Sequence, residues 1–251
     1  MDGDQDPLEK HQLTMLKALE GPVVEVVVGV EPTTTTWTIP KALLSAHSDF
    51  FRKANNGFKE SLDNKINLPD VDVRVFRLFV EWLYCGKNVS SFHEFIDVPG
   101  VDEDLLIYWL LWILGDRLMS RDFKNFVMTF IYNHHGFDGP GFSIVMAEEV
   151  DYCWSNTPQN SKLRSLIIDS VAMSWTRKQY GDDWKQGFAT ILPKYPDLQL
   201  ALLYKLPGPC EHEEWVSIIS PVEHYLEPDR KVMQYRTVPT SWYQIEAARK
   251  M

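Results

Sequence analysis

The sequence predicts an α+β fold, in which a small β-sheet is covered by helices and followed by a mostly helical remainder. A run rich in β-branched residues at 23–30 and a second segment at 36–39, joined by a proline and threonine turn, indicate a strand hairpin. Apolar residues at positions 75, 76, 79, 80 and 83 have the i, i+3, i+4 spacing of an amphipathic helix. Because further helical patterns follow residue 141, we expect the remainder to be mostly helical.

The first elements can be assigned in order along the chain. Residues 1–21 form a polar N-terminal segment with one short helix predicted at 12–20. The strand at 23–30 contains few polar residues, so we expect it to be buried on both faces. Pro40 suits the first turn of the next helix, where its missing N–H needs no partner. Ser48 is expected to cap a second short helix, which carries Phe50 and Phe51.

The assignment continues with a short strand and a series of helices. Residues 65–68 form a strand with Ile66 and Leu68 on one face, and either Asp70 or Asp72 caps the helix that ends at Gly86. We expect residues 87–101 to form a loop that includes a short strand near Phe95 and Ile96. Two more helices are predicted at 102–114 and 120–134, separated at residues 115–116, and later helical patterns cover 142–153, 162–175 and 197–205.

Composition limits the classes of partner. The chain has 251 residues and a net charge of −10, which disfavours nucleic acids and anionic membrane surfaces, since lysine and arginine bind these. Its three cysteines are odd in number and widely spaced, so we expect a reducing, intracellular location in the cytoplasm, the nucleus or both. The longest apolar run, at 105–114, is shorter than the roughly twenty residues of a membrane-spanning helix.

Motifs typical of catalysis and metal binding are missing from the sequence. It has no glycine-rich phosphate loop, His-Glu-x-x-His or Gly-x-Ser-x-Gly. Cys210 and His212 lack a second pair at the spacing of a zinc site. We therefore predict that the protein is not an enzyme and has no cofactor and no metal site.

Four stretches, taken in this order, resemble the BTB (POZ) domain. They are VVEVVVG, WTIPKALLSAHSDFF, INLPDVDVRVFRLFVEWLYCG and LLWILGDRLMSRDFKNFVMTFI. The resemblance covers residues 22–135, slightly under half of the chain. Two positions depart from the usual pattern, with Pro40 in place of histidine and Cys85 in place of threonine. These departures resemble the fungal branch of the family, whose members often carry a helical C-terminal region such as residues 142–251 of this chain.

The resemblance implies a non-catalytic protein–protein interaction module that forms a homodimer. Glu25 and Lys41 stand at the positions of an acidic and basic pair near the dimer interface of the family. This would make them a self-association pair. An exposed or half-buried ion pair that contributes little free energy is at least as good an interpretation of these two residues.

A second implied partner is a cullin scaffold. Phe58 and Glu60 match the hydrophobic-x-Glu element by which some BTB proteins bind a cullin, and they stand at the right spacing from the strand at 65–68. On this interpretation the protein is a substrate adaptor of a cullin-type ubiquitin ligase. The alternatives are that Phe58 packs on its own domain, and that the protein is a self-associating scaffold or an indirect transcriptional regulator with no ligase role.

Overall fold

The computed structural model describes residues 16–55, 64–86, 105–134, 144–176, 182–206 and 219–228. Three strands form one sheet: β1 (Val23–Val28), β2 (Thr35–Pro40) and β3 (Lys65–Leu68). β1 lies in the middle, with β2 antiparallel on one side and β3 parallel on the other. The register places Val26 opposite Trp37 on β2 and opposite Ile66 on β3.

The prediction that β1 is buried on both faces is wrong. Val24, Val26 and Val28 are at most 1% exposed, whereas Val23 is 45% exposed and Glu25 is exposed as well. β3 alternates in the same way, with its two apolar residues buried as predicted. Among the described residues the helices cover one face of the sheet, and valine favours a strand whichever face it lies on.

Three helices share one core with the sheet: α1 (Lys41–His47), α2 (Asp49–Asn55) and α3 (Val73–Cys85). The ring of Phe76 on α3 lies 5.1 Å from that of Trp37 on β2, so α3 contacts the sheet directly. Buried apolar side chains of the three helices complete this part of the core: Leu43, Leu44, Phe51, Val75, Phe76, Leu78, Phe79, Trp82 and Leu83.

The ends of these helices agree with most of the predicted caps. Ser48 Oγ accepts the N–H of Phe51 at 3.2 Å, which confirms its capping role at α2. Of the two candidates before α3, Asp72 is the cap and accepts the N–H of Arg74 at 2.7 Å. Pro40 precedes α1 as its N-terminal cap residue and is still the last residue of β2.

The next two helices are α4 (Leu105–Arg117) and α5 (Arg121–His134). The predicted break at residues 115–116 is wrong, because α4 continues to Arg117 and the chain turns at Met119, where φ is 49°. A Cβ atom on Gly115 would lie 2.9 Å from Cγ of Lys124. The glycine therefore serves the close packing of α4 on α5 rather than the end of a helix.

Beyond residue 144 the described part of the chain is helical and contains no strand. Its helices are α6 (Ala147–Asn156), α7 (Lys162–Thr176), α8 (Asp182–Ile191) and α9 (Pro196–Lys205), with short 3-10 turns at Leu192–Lys194 and Val222–Tyr225. α7 and α9 agree closely with the predicted ranges, whereas α6 begins five residues later than predicted, at 147 instead of 142. α8 was not predicted, although its buried residues Trp184, Phe188 and Ile191 have helical spacing.

A continuous set of buried apolar side chains extends from β1 to the turn at Val222–Tyr225. Trp109 Nε1 on α4 donates to Glu149 Oε1 on α6 at 2.8 Å. On α5, Lys124 Nζ lies 2.9 Å from Glu227 Oε1, and the Tyr132 hydroxyl donates to the Ser220 carbonyl at 3.2 Å. α4 and α5 thus connect the sheet-containing part to the helices that follow.

Candidate interaction surfaces

The outer face of the sheet is open and carries one of the predicted site residues. Glu25 is exposed on β1, where its register partners are Thr38 on β2 and Lys65 on β3. Lys41 begins α1, is half-buried, and donates its backbone N–H to the Pro22 carbonyl at 2.9 Å. Within the described residues no salt bridge joins Glu25 to Lys41, so their proposed role in self-association stays a prediction.

Exposed apolar side chains lie in the segment that leads into β1. Residues 16–19 are helical, in agreement with the predicted helix at 12–20, the earlier part of which lies outside the described residues. Leu16 is 58% exposed and Leu19 is 39% exposed, while Ala18 packs against the core. With Val23, these leucines form what we call the N-terminal apolar surface. The sequence shows its residues, but only the structure shows which of them remain exposed.

Phe58 and Glu60 lie outside the described residues. They belong to the connection between Asn55, the last residue of α2, and Asn64, which precedes β3. Asn55 Nδ2 donates to Ser45 Oγ at 3.0 Å, and the Asn64 carbonyl accepts the N–H of Glu25 at 2.8 Å. Both ends of the connection are therefore fixed to the domain, and the cullin contact itself stays a prediction.

A surface that sequence reasoning missed lies on α9. Leu198 and Leu202 are buried, whereas Leu200, Leu203 and Tyr204 are 54%, 67% and 82% exposed. We call these last three residues the α9 surface. The signal in the sequence is that α9 carries more apolar residues than one buried face of a short helix requires.

A pocket of about 350 Å³ lies beside the α9 surface, between α7, α9 and the turn at Val222–Tyr225. At its wall the buried carboxylate of Asp169 accepts the Tyr225 hydroxyl at 2.7 Å and pairs with Lys205 Nζ at 2.8 Å. Burial, and next the hydrogen bond to Asp169, raise the pKa of Tyr225, so its hydroxyl stays a donor at neutral pH. Lys205 itself is 46% exposed.

Two buried charged residues hold helices together rather than face a pocket. Arg164 on α7 lies 4.8 Å over the ring of Trp154 and donates to the Trp154 carbonyl at 2.6 Å and to Asp197 at 3.1 Å. Burial raises the pKa of the Glu149 carboxyl, although the hydrogen bonds from the Met146 N–H and Trp109 act in the opposite direction. All of these contacts are internal to the fold, so we assign both residues a structural role.

Three observations on the described residues concern a buried thiol, metal ligands and membrane spans. Burial raises the pKa of the Cys153 thiol well above its ordinary value, which disfavours the reactive thiolate. In the described ranges, no group of three or more histidine, cysteine, aspartate or glutamate residues is arranged to hold a metal ion. Nor does any helix in those ranges combine the length and apolar character needed to cross a bilayer.

Comparison with known proteins identifies the sheet-containing part of the chain. No curated protein matches the sequence. The solved BTB (Tramtrack and Bric a brac) domain of human gigaxonin is similar at 18% sequence identity and a TM-score of 0.36, over 52% of this chain and 97% of that chain. Residues 18–105 match the model of the BTB/POZ domain. The chain therefore carries a BTB/POZ domain at residues 18–105, built on the small sheet and the covering helices described above.

Proposed function

We propose that the protein is a non-catalytic interaction module that self-associates through its BTB/POZ domain and recruits other proteins. BTB/POZ domains bind proteins, and many dimerise. The observation that supports self-association is the N-terminal apolar surface, where Leu16, Leu19 and Val23 remain substantially exposed. Burying apolar area contributes roughly 25 cal/mol per Å² in favour of association. Glu25 and Lys41 would border such an interface.

The test of self-association is sedimentation equilibrium of the full chain across the micromolar range. We expect the double variant Leu16→Glu, Val23→Glu to dissociate at concentrations where the wild type is dimeric, because each glutamate would have to be buried in the interface. Val30→Glu is the matched control, since Val30 is 60% exposed but belongs to neither surface defined above. A wild type that stays monomeric at high micromolar concentration would contradict the proposal.

A substrate adaptor of a cullin-type ubiquitin ligase is the second candidate function. The match of Phe58 and Glu60 to the hydrophobic-x-Glu element supports it, as does their position between α2 and β3. On this proposal Phe58 anchors the contact in a pocket of the cullin while Glu60 fixes its orientation at the rim. The location would be cytoplasmic, nuclear or both. The fungal branch of the family, and a scaffold or indirect transcriptional role without a ligase, stay open as predictions.

The adaptor proposal predicts that Phe58→Ala with Glu60→Ala weakens binding to a purified cullin by at least about thirtyfold, as removal of an anchor does. The thermal midpoint should stay unchanged. Lys53→Ala, an exposed change on the neighbouring helix α2, is the control. If the double variant instead loses about 3–5 kcal/mol of stability with no specific loss of cullin binding, Phe58 belongs to the core and the scaffold alternative is favoured.

A further inference from the structure

We propose that the α9 surface and the pocket beside it form a second docking site, which binds a peptide segment of another protein carrying apolar side chains and a carboxylate. The proposal rests on the interaction function above, because it assigns recognition of a recruited protein to the helices that follow the BTB/POZ domain. The residues of this second site belong to the helical C-terminal region. They include none of the residues of the N-terminal apolar surface and neither Phe58 nor Glu60.

The apolar part of the site is on one side of α9. Leu200, Leu203 and Tyr204 are related by i, i+3 and i, i+4 spacing, so their side chains are neighbours on the helix. All three are more than half exposed. A helix at the surface of a globular protein normally carries polar side chains in such positions, and grouped exposed apolar residues mark sites of interaction.

The pocket extends this surface toward α7. Ile168 of α7 and Ala201 and Tyr204 of α9 supply its apolar lining. Its volume of about 350 Å³ lies within the range of about 300–1,000 Å³ in which proteins bind small ligands, and it is large enough for one leucine or phenylalanine side chain. Tyr204 belongs to both the outer surface and the pocket, so one extended segment could contact the two together.

The charge of the partner follows from the cations at the rim. Lys205 Nζ pairs with the buried Asp169 at 2.8 Å, and Tyr225 donates to the other oxygen of that carboxylate. An ammonium group has three N–H donors, and Lys205 is 46% exposed, so it can bind an incoming carboxylate without releasing Asp169. Lys162 adds a second cation, since its Nζ donates to the His224 carbonyl at 2.8 Å and His224 also lines the pocket. Asp169, which also lines the pocket, balances the charge of Lys205, so Lys162 beside the pocket supplies the additional positive charge. In a chain of net charge −10 this local arrangement favours an acidic segment.

The probe is a phage-displayed library of random peptides, selected on the full-length protein and followed by titration of a labelled selected peptide. We expect the selected peptides to share apolar residues next to aspartate or glutamate. The variant Leu203→Glu, Tyr204→Ala should bind the labelled peptide with an affinity about thirtyfold lower, which is the loss typical of removing a central anchor. Both replaced side chains are exposed, so circular dichroism should be unchanged. Val30→Glu is the control and should bind as the wild type does.

A peptide in which the acidic residue is replaced by its amide tests the charge, and it should bind the wild type more weakly. Selected peptides without a shared apolar and acidic pattern, or equal binding by the α9 variant, would overturn the proposal. A change in oligomeric state of the α9 variant would assign the surface to a second copy of the chain, and a photo-crosslink from position 203 to residues 207–218 of the same molecule would assign it to the chain itself. Either result would also overturn it.

The variant Leu16→Glu, Val23→Glu separates this proposal from the proposed function. It should bind the labelled peptide as the wild type does while it fails to dimerise. If the wild type is monomeric but binding of the peptide still depends on Leu203 and Tyr204, the self-association proposal is refuted and the docking-site proposal is supported. If the dimer forms and no peptide requires these residues, the docking site fails alone.

Discussion

Replacing Ser48 by alanine should lower the free energy of unfolding by about 2 kcal/mol, because its hydroxyl joins two distant parts of the fold. Ser48 is 2% exposed. Its Oγ accepts the N–H of Phe51 and also donates to the Leu118 carbonyl at 2.6 Å. The second hydrogen bond joins residues that are 70 positions apart in the sequence. Losing the cap costs about 1 kcal/mol, and losing an ordinary hydrogen bond costs about the same. The Leu118 carbonyl keeps the N–H of Phe50 at 3.3 Å, so the larger cost of an unsatisfied buried group does not apply.

The measurement is urea unfolding followed by tryptophan fluorescence, for which the chain has nine tryptophans. A loss of this size lowers the thermal midpoint by about 4–8 °C in a chain of this length. Ser45→Ala is the matched control, because Ser45 accepts a partly buried hydrogen bond from Asn55 on the neighbouring helix, and it should cost less than about 1 kcal/mol. If Ser48→Ala costs no more than Ser45→Ala, the hydroxyl does not join α2 to the end of α4 as described.

Two further substitutions test the buried part of the structure. Burial raises the pKa of Glu149 above its ordinary 4.5, so the folded state holds the proton more tightly than the unfolded state does. The free energy of unfolding should therefore fall as pH rises from below 4.5 through the folded pKa. The variant Glu149→Gln should lack this fall when urea unfolding is measured across the same pH range. Gly115→Ala should lower the free energy of unfolding by about 1–3 kcal/mol despite the better helix propensity of alanine, because the new Cβ would lie 2.9 Å from Cγ of Lys124. A rise in the thermal midpoint of this variant would show that α4 and α5 are not packed this closely.

Local features of the sequence determined most of the elements. The valine-rich run at 23–30 and the segment at 36–39 predict the hairpin, and apolar residues at helical spacing predict α3, α5, α7 and α9. Ser48 was recognised as a cap because a hydroxyl before a helix has a defined partner a few residues later. The same reasoning left Asp70 and Asp72 as equal candidates. The structure selected Asp72 for the cap, while Asp70 pairs with Arg117 at 2.6 Å.

The candidate site was anticipated less completely than the fold. Glu25 does lie on an exposed face, but sequence reasoning expected its strand to be buried on both sides, since a valine-rich run has the same pattern whether one layer or two covers it. Phe58 and Glu60 were singled out by resemblance alone. The α9 surface was missed because Leu200 and Leu203 look like core residues when only their hydrophobicity is considered.

The sequence by itself determined which side chains share a face of a strand or helix, because that periodicity is fixed by backbone geometry. Only the tertiary structure decided which of those faces is covered. It left Val23 and Leu203 exposed, placed Gly115 at a helix contact instead of a helix end, and buried Glu149 beside a tryptophan forty residues earlier in the chain. Covering a face requires partners that are distant in sequence, and no local pattern specifies where those partners will lie.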